Sequence, residues 1–123
     1  MNLIDSSFWL EFYGGTKNAD YVSEKIQNMS QIIIPTIIIV EVFKKLLIVA
    51  GEKDAIKFIA QMKKGNIVEL NFEISLNSAL YGIKYQLPIA DSIIYATAIA
   101  NNAQIYTLDK HFKDLPNVIF YEK

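Results

Sequence analysis

Short apolar runs alternate along this chain with longer segments whose apolar residues recur every three or four positions. Short runs bounded by turn residues are typical of buried strands, and the longer repeat is typical of helices. The predicted strands are Met1 to Ile4, Gln31 to Ile34, Ile67 to Leu70, Gln104 to Thr107 and Val118 to Tyr121. Strands that alternate with one or two helices predict an α/β fold whose parallel sheet is covered on both faces.

The segments between these strands carry helix start and stop signals. The predicted helices run from Ser6 or Ser7 to about Tyr13, from Asn18 or Asp20 to about Met29, from Thr36 to Ala50, from Asp54 to Lys64, from Ile74 to Gln86 and from about Ile89 to Ala100. In the fifth helix, Leu76, Leu80 and Ile83 stand at helical spacing. The helix that begins at Thr36 is apolar almost all the way round, so it either runs under another helix or forms part of a subunit interface.

The chain of 123 residues is predicted to form a single domain over residues 1–123. Its start has neither a basic segment nor a long apolar segment, so no signal peptide is expected. The most apolar stretch, Ile32 to Ala50, is interrupted by Pro35, Glu41 and two lysines, which favours a strand and a helix over a membrane span. Cysteine is absent, which excludes disulfides and thiolate zinc sites and fits a cytoplasmic location.

Four acidic residues fall where a predicted strand ends or where an apolar helix passes close to such an end. They are Asp5, Glu41, Asp91 and Asp109. The carboxyl ends of parallel strands share one edge of a sheet, and α/β proteins bind ligands there. We therefore expect the four side chains to converge on a pocket for a hard divalent cation. Ligand sets made only of oxygen favour Mg²⁺ or Mn²⁺ over zinc.

Each acid also has a purely structural explanation. Asp5 can cap the next helix, Asp91 can compensate the dipole of its helix, and Asp109 can serve as a turn residue. Glu41 can pair with Lys45 four residues on, although a carboxylate on so apolar a helix is costly unless it meets a donor, a cation or a metal. Their shared topological placement favours function over these separate roles.

The charge balance changes once these acids are set apart. The net charge is −1, which argues against a general basic surface for nucleic acid. Without the four acids, nine acidic residues face twelve lysines, which leaves +3 and admits an anionic substrate beside a neutralised pocket. Arginine is absent, so phosphate contacts have to come from lysines, backbone amides or a metal. His111, the only histidine, is expected at the surface or in packing rather than as a general base.

Four segments, in their order and spacing, resemble the motifs of PIN-domain nucleases over essentially the whole chain. They are Leu3-Ile4-Asp5-Ser6-Ser7, the helical Glu41, Pro88-Ile89-Ala90-Asp91-Ser92 and Thr107-Leu108-Asp109-Lys110-His111-Phe112. They are most similar to the small VapC-type toxins of prokaryotic toxin–antitoxin pairs. The resemblance implies a three-layer α/β/α sandwich with about five parallel strands in the order 3-2-1-4-5.

The resemblance also implies an activity and partners. It assigns the four acids to the metal-binding and catalytic cluster, with Thr107 as a supporting polar residue. It implies a Mg²⁺- or Mn²⁺-dependent endoribonuclease that hydrolyses RNA with metal-activated water, as the toxin of a type II pair. A homodimer and an antitoxin that inserts into or beside the active site are further implications. Such nucleases usually hold RNA with positive residues near the groove, and here Lys44, Lys45 or Lys110 would have to serve.

Other functions are weighed against this one. A housekeeping PIN nuclease of RNA processing would share the same pocket. A phosphatase that uses Asp5 as its nucleophile expects a second acid two positions on, where Ser7 stands. A receiver-like module expects an acceptor Asp after the third strand, where Leu70 and Asn71 stand. A catalytically inactive PIN-like binding module would have lost one of the four acids, and none is missing.

Overall fold

The computed structural model describes residues 1–123. Five strands, six α-helices and three 3₁₀ turns follow one another along the chain. In order they are β1 (Asn2–Ile4), α1 (Ser6–Gly14), a turn (Lys17–Tyr21), α2 (Ser23–Ile26), a turn (Met29–Gln31), β2 (Ile32–Pro35), α3 (Thr36–Val49), α4 (Glu52–Met62), β3 (Asn66–Val68), α5 (Phe72–Tyr85), α6 (Ile89–Ala100), β4 (Gln104–Thr107), a turn (Lys110–Phe112) and β5 (Val118–Phe120).

The five strands form one parallel sheet in the order β3-β2-β1-β4-β5, as predicted. The central strand is β1, where Leu3 pairs with Ile33 of β2 on one side and Ile105 of β4 on the other. The chain builds one half of the sheet from β1 outward and then returns to build the other half. The strand order therefore reverses between β1 and β4, and the carboxyl ends of these strands flank the crevice where open α/β sheets bind ligands.

The strands form the centre of the hydrophobic core. Three successive residues of β2, Ile32, Ile33 and Ile34, are all buried although they alternate between the two faces of the sheet. Both faces are therefore covered, as expected for a parallel sheet. Burying a side chain of this size stabilises the fold by about 1.5–3 kcal/mol. Such a core holds the strand ends, and the side chains just beyond them, in fixed positions.

The most apolar stretch of the chain divides into β2 and α3, as predicted. Ile38, Val42 and Leu46 recur every four residues in α3 and are fully buried, whereas Val40 and Ile48 are 58 % and 74 % exposed. The helix is therefore covered on one side only, and its role in a subunit interface stays a prediction. No helix of the protein combines the length and the apolar character that a bilayer span requires.

The apolar residues that the sequence pattern marks on α5 do not face the core. Leu76, Leu80 and Ile83 are exposed, whereas Ile74 and Ser78 face the core. The core side of α5 also carries Tyr81 and Tyr85, whose rings make edge contacts with Tyr95 of α6. An apolar row on the outside of the molecule is the consequence.

One predicted helix is wrong in extent. In place of a helix to about Met29, the segment forms a 3₁₀ turn and then the single-turn α2, which ends at Ile26. Asn28 adopts a non-helical backbone, with φ −111° and ψ 73°, and its side chain accepts a hydrogen bond from the Ser30 hydroxyl at 2.8 Å. Such local bonds of Asn compete with the helix and favour turns. The chain consequently leaves the helix before Met29.

Candidate active site

Asp5 lies directly beyond the central strand. Its N–H donates to the carbonyl of Tyr106 at 3.0 Å, which continues the pairing of β1 with β4 by one residue. The prediction that Ser6 or Ser7 caps α1 is wrong, because Asp5 itself occupies the N-cap position. Its carboxylate makes no capping bond, however, and Oδ2 instead accepts bonds from the hydroxyls of Ser7 at 2.9 Å and Thr107 at 2.8 Å. The side chain is thus held at the carboxyl edge of the sheet, as the sequence predicted.

Thr107 connects two of the predicted acids. It is completely buried at the end of β4, where its hydroxyl donates to Asp5 Oδ2 and accepts the N–H of Asp109 at 2.9 Å. Burial raises the pKa of Asp5, and the hydrogen bonds from Thr107 and Ser7 partly offset this effect. The ends of β1 and β4 are therefore joined through one hydroxyl, which fixes Asp5 and Asp109 relative to each other.

Asp91 lies in the first turn of α6 and is only 8 % exposed. The positive end of a helix dipole favours an ionised carboxylate, which would lower its pKa. Burial has the larger effect, and together with the nearby carboxylates of Asp109 and Asp5 it raises the pKa of Asp91 to about 6. Dipole compensation therefore does not explain the position of this acid, because the fold holds its negative charge at a net cost.

Glu41 has an unsatisfied carboxylate oxygen. Its Oε1 is buried and has no hydrogen-bond partner, and the side chain forms no ion pair with Lys44 or Lys45. Burial raises the pKa of Glu41, the nearby hydroxyl of Ser6 lowers it, and the carboxylates of the other three acids raise it further. Pairing with Lys45, the structural explanation considered above, is therefore absent from the fold. A buried oxygen without a partner is costly, and a cation would satisfy it.

The fold brings the four predicted acids to one site. Asp109 adds to the raised pKa of Asp5, Glu41 and Asp91 alike, which places these carboxylates within range of one another's charge. The closest set of donor atoms, however, comes from Asp91, Asp109 and His111, which lie within 4.8 Å of one another. Asp5 and Glu41 do not belong to that tight set.

His111 is the residue whose place in the site the sequence did not indicate. Its Nδ1 lies 2.9 Å from Asp91 Oδ2 and 3.1 Å from Asp109 Oδ1, while the side chain remains 57 % exposed. The backbone N–H of His111 also donates to Asp109 Oδ1 at 2.9 Å, so the turn after Asp109 folds the ring back over the acids. A signal for this was present, because Asp side chains commonly accept a bond from the N–H two residues on.

The residues present fit a divalent cation. They provide carboxylate oxygens from four elements of the fold, one unsatisfied oxygen on Glu41, and an imidazole nitrogen. Clustered carboxylates repel one another, and a bound cation removes that repulsion. Lys110 is exposed directly after Asp109 and forms no ion pair, so its ammonium group is free to meet an anion near the site.

A separate cleft of about 800 Å³ lies between α1, α4 and the segment around α2. Its floor is aromatic, since Trp9, Phe12, Tyr13 and Phe58 all line it, and Phe58 makes edge contacts with Trp9 and Tyr13. The indole Nε1 of Trp9 is buried without a hydrogen-bond partner. None of the four acids lines this cleft, which is called the aromatic cleft below.

Several solved structures share this fold. A toxin–antitoxin complex from Klebsiella pneumoniae has a chain that is 24 % identical with a TM-score of 0.86, and each chain covers 100 % of the other. VapBC2 from Rickettsia felis bound to a DNA fragment from its promoter is 16 % identical, with a TM-score of 0.71 and coverage of 98 % of this chain and 97 % of that one. Mycobacterium tuberculosis VapC20, described as a toxin that cleaves the sarcin-ricin loop, is 12 % identical, with a TM-score of 0.73 and coverage of 89 % and 90 %.

The family follows from the sequence as well as from the fold. No curated protein matches the sequence. The sequence model of the PIN domain family, in contrast, matches residues 3–118. This span runs from β1 to β5 and contains all four acids. The chain therefore belongs to the PIN domain family.

Proposed function

We propose that this protein is a metal-dependent endoribonuclease that hydrolyses RNA phosphodiester bonds. Asp5, Glu41, Asp91 and Asp109 would be the metal-binding and catalytic residues, with Mg²⁺ or Mn²⁺ as the cation. The observation that carries this proposal is the buried, unpartnered Oε1 of Glu41 within a cluster of mutually repelling carboxylates. Hydrogen bonds from neighbouring hydroxyl groups and from His111 offset this arrangement only in part, whereas a divalent cation would neutralise it.

The residues of the chain have distinct roles in this reaction. When bound, a divalent cation supplies positive charge to the scissile phosphate and lowers the pKa of the attacking water. Thr107 and Ser7 hold the Asp5 carboxylate in one orientation through bonds to Oδ2. The Ser7 hydroxyl donates to Asp5 and accepts the N–H of Leu108 at 3.1 Å, so it is engaged in joining the ends of β1 and β4. We therefore favour direct attack by water without a covalent intermediate, with Lys110 holding a backbone phosphate.

Isosteric substitutions test the site. Asp5→Asn and Glu41→Gln keep the size of each side chain but remove its charge, and each should lower the RNA cleavage rate by at least about 10²-fold. Asp20→Asn is the matched control, because Asp20 is exposed and lies outside the cluster. Cleavage should require Mg²⁺ or Mn²⁺ and stop in a chelator. Full activity of either isosteric variant, or activity in the chelator, would refute the proposed site.

We further propose that the physiological role is that of the toxin in a type II toxin–antitoxin pair, acting in the cytoplasm. Support comes from the solved structures of the same fold, which include toxin–antitoxin proteins. Expression should then arrest growth in wild type and not in Asp5→Asn. A housekeeping nuclease of RNA processing is the alternative. It predicts no growth arrest and no small reading frame that overlaps or directly precedes this one.

The aromatic cleft supports an antitoxin partner. Its volume and aromatic floor suit apolar side chains of a peptide. The product of the neighbouring small reading frame should co-purify with this protein. Phe58→Lys should abolish co-purification, and Phe72→Lys, on the exposed end of α5, should leave it intact. Equal retention of the partner by both variants would exclude the cleft as the docking surface.

Exposed apolar residues support a homodimer. The row on α5 and the start of α6 consists of Phe72, Leu76, Leu80, Ile83 and Ile89, which are 54–81 % exposed. Contiguous apolar surface of this kind marks interfaces. The double variant Leu80→Glu/Ile83→Lys should convert the dimer to a monomer in light scattering, whereas Ile56→Lys, at an exposed apolar position of α4, should not. A wild-type monomer at micromolar concentration would refute this interface.

A further inference from the structure

We infer that His111 is a ligand of the bound cation and that its nitrogen makes the site prefer Mn²⁺ over Mg²⁺. This inference rests on the proposed metal-dependent function and adds to it a fifth residue, of different donor chemistry from the four acids. It concerns the specificity of the site for its metal.

The geometry of the donor atoms carries the inference. His111 Nδ1 lies 2.9 Å from Asp91 Oδ2 and 3.1 Å from Asp109 Oδ1. Neighbouring ligands of an octahedral ion with bonds of about 2.1 Å lie about 3.0 Å apart, so the nitrogen stands at the separation that two adjacent ligands would have. The three donor atoms lie within 4.8 Å of one another. Opposite ligands of such an ion lie about 4.2 Å apart, so a bound ion would draw the three side chains slightly together.

The ring is held in this place by the fold. The N–H of His111 is bonded to Asp109 Oδ1 at 2.9 Å, and the next residue, Phe112, is completely buried. The turn is therefore anchored on both sides of His111. Because Asp91 is only 8 % exposed and rigidly placed by α6, the imidazole meets a preformed pair of carboxylates.

The imidazole nitrogen of His111 makes the site prefer Mn²⁺ over Mg²⁺ because the two ions differ in the ligands they bind. Mg²⁺ takes oxygen ligands almost exclusively and retains its waters, whereas imidazole binds transition-metal ions, and affinities rise from Mn²⁺ to the later metals. A site with one nitrogen among its oxygens consequently binds Mn²⁺ more tightly than an all-oxygen site does, with little gain for Mg²⁺. His111 thereby adds a nitrogen ligand to the oxygen-only set that was expected from the sequence.

A hydrogen bond is the competing explanation. In the absence of metal, the Nδ1–H of His111 can donate to one of the two carboxylates and serve only to orient them. The variant His111→Asn distinguishes the two roles, because its amide places an N–H near the position of Nδ1 but provides no imidazole. His111→Ala removes both.

The test uses the fact that the chain contains a single histidine. The full-length protein is prepared with ¹⁵N-labelled and with unlabelled histidine, loaded with Mn²⁺ at about pH 8, and measured by pulsed electron paramagnetic resonance. A hyperfine coupling that changes from ¹⁴N to ¹⁵N with the label, and disappears in both variants, is expected. Calorimetry should show Mn²⁺ affinity at least about tenfold lower in His111→Ala, since even outer-shell partners of ligands are worth that much, and Mg²⁺ affinity changed less than about twofold.

Each outcome has one meaning. If Mn²⁺ binds to wild type but not to Asp91→Asn, and no histidine coupling is seen, His111 is no ligand while the metal-dependent function stands. Full Mn²⁺ affinity in His111→Ala would likewise show that the ring is no ligand and overturn the inference. If neither Mn²⁺ nor Mg²⁺ binds to wild type, the proposed function and the inference fall together.

Discussion

Replacing Asp91 with Asn should stabilise the metal-free protein although it should abolish the proposed RNA cleavage. The pKa of Asp91 is raised from its ordinary value of 3.8 to about 6, chiefly by burial and then by Asp109 and Asp5. Keeping this carboxylate ionised in the fold at pH 8 therefore costs up to about 3 kcal/mol relative to the unfolded chain. A neutral amide of the same shape avoids that cost, so Asp91→Asn should be more stable by up to this amount, or by roughly 10 °C in Tm for a chain of this size.

The stability of the metal-free protein should change with pH in a definite direction. Because the pKa of Asp91 is higher in the folded state, the folded protein binds more protons than the unfolded chain between about pH 3.8 and pH 6. The free energy of unfolding of the metal-free wild type should therefore decrease as the pH rises through this window and level off above it. The advantage of Asp91→Asn should be largest near pH 8 and should shrink as the pH falls below about 6.

Urea unfolding in the presence of a chelator, at several pH values, measures this difference. Asp20→Asn serves as the control, because this exposed acid should change stability by less than about 0.5 kcal/mol. An Asp91→Asn protein that is less stable than wild type at pH 8 would show that the carboxylate is stabilised by bonds other than those described. An advantage that does not change with pH would show that its charge is not the cause.

Three further predictions follow from the site and the core. Adding Mg²⁺ or Mn²⁺ should raise the Tm of wild type, by the equivalent of about 2.7 kcal/mol at a metal concentration of 100 times Kd, as measured by calorimetry. Thr107→Val removes the hydroxyl that bonds Asp5 and the Asp109 N–H, so it should lower the free energy of unfolding by about 1–3 kcal/mol in urea titrations. Gly65→Ala would place a Cβ 2.8 Å from Ile34 Cδ1 and 3.3 Å from the Ile32 carbonyl, and this crowding should cost about 1–3 kcal/mol in the same measurement.

Matched variants provide the controls for these predictions. Asp91→Asn should lose most of the stabilisation by metal, and an equal rise in Tm would place the ion elsewhere. Thr107→Ser keeps the hydroxyl and should retain most of the stability that Thr107→Val loses. Gly14→Ala adds a Cβ whose nearest neighbour is 3.6 Å away, so it should be tolerated, and an equal loss for both glycine variants would exclude crowding as the cause.

Much of the fold could be predicted because local patterns in the sequence reflect it directly. The central strands contain continuous apolar runs since both of their faces are covered, and β2 with its three buried isoleucines shows this most clearly. Helix boundaries were less predictable. The segment before Met29 contains apolar residues at helical spacing, yet the local bonds of Asn28 end the helix early.

The local sequence pattern also could not show whether the apolar face of a helix points to the core or to solvent. Leu76, Leu80 and Ile83 mark an apolar row on α5, but spacing alone does not say whether such a row faces the core or a partner. The packing of α5 against α6 through Tyr81 and Tyr85 decided it, and the row is exposed.

For the candidate site, the sequence by itself determined which acids stand at the ends of strands, because parallel topology brings those ends to one edge whatever the details of packing. Only the tertiary structure decided what surrounds them. It left Glu41 Oε1 without a partner, raised the pKa of Asp91 against its helix dipole, and folded His111 onto Asp91 and Asp109. Burial and the separation of charges depend on residues distant in the chain, and these set the free energy of a buried carboxylate. A pattern of residue types therefore locates the site, whereas its electrostatics depend on the assembled fold.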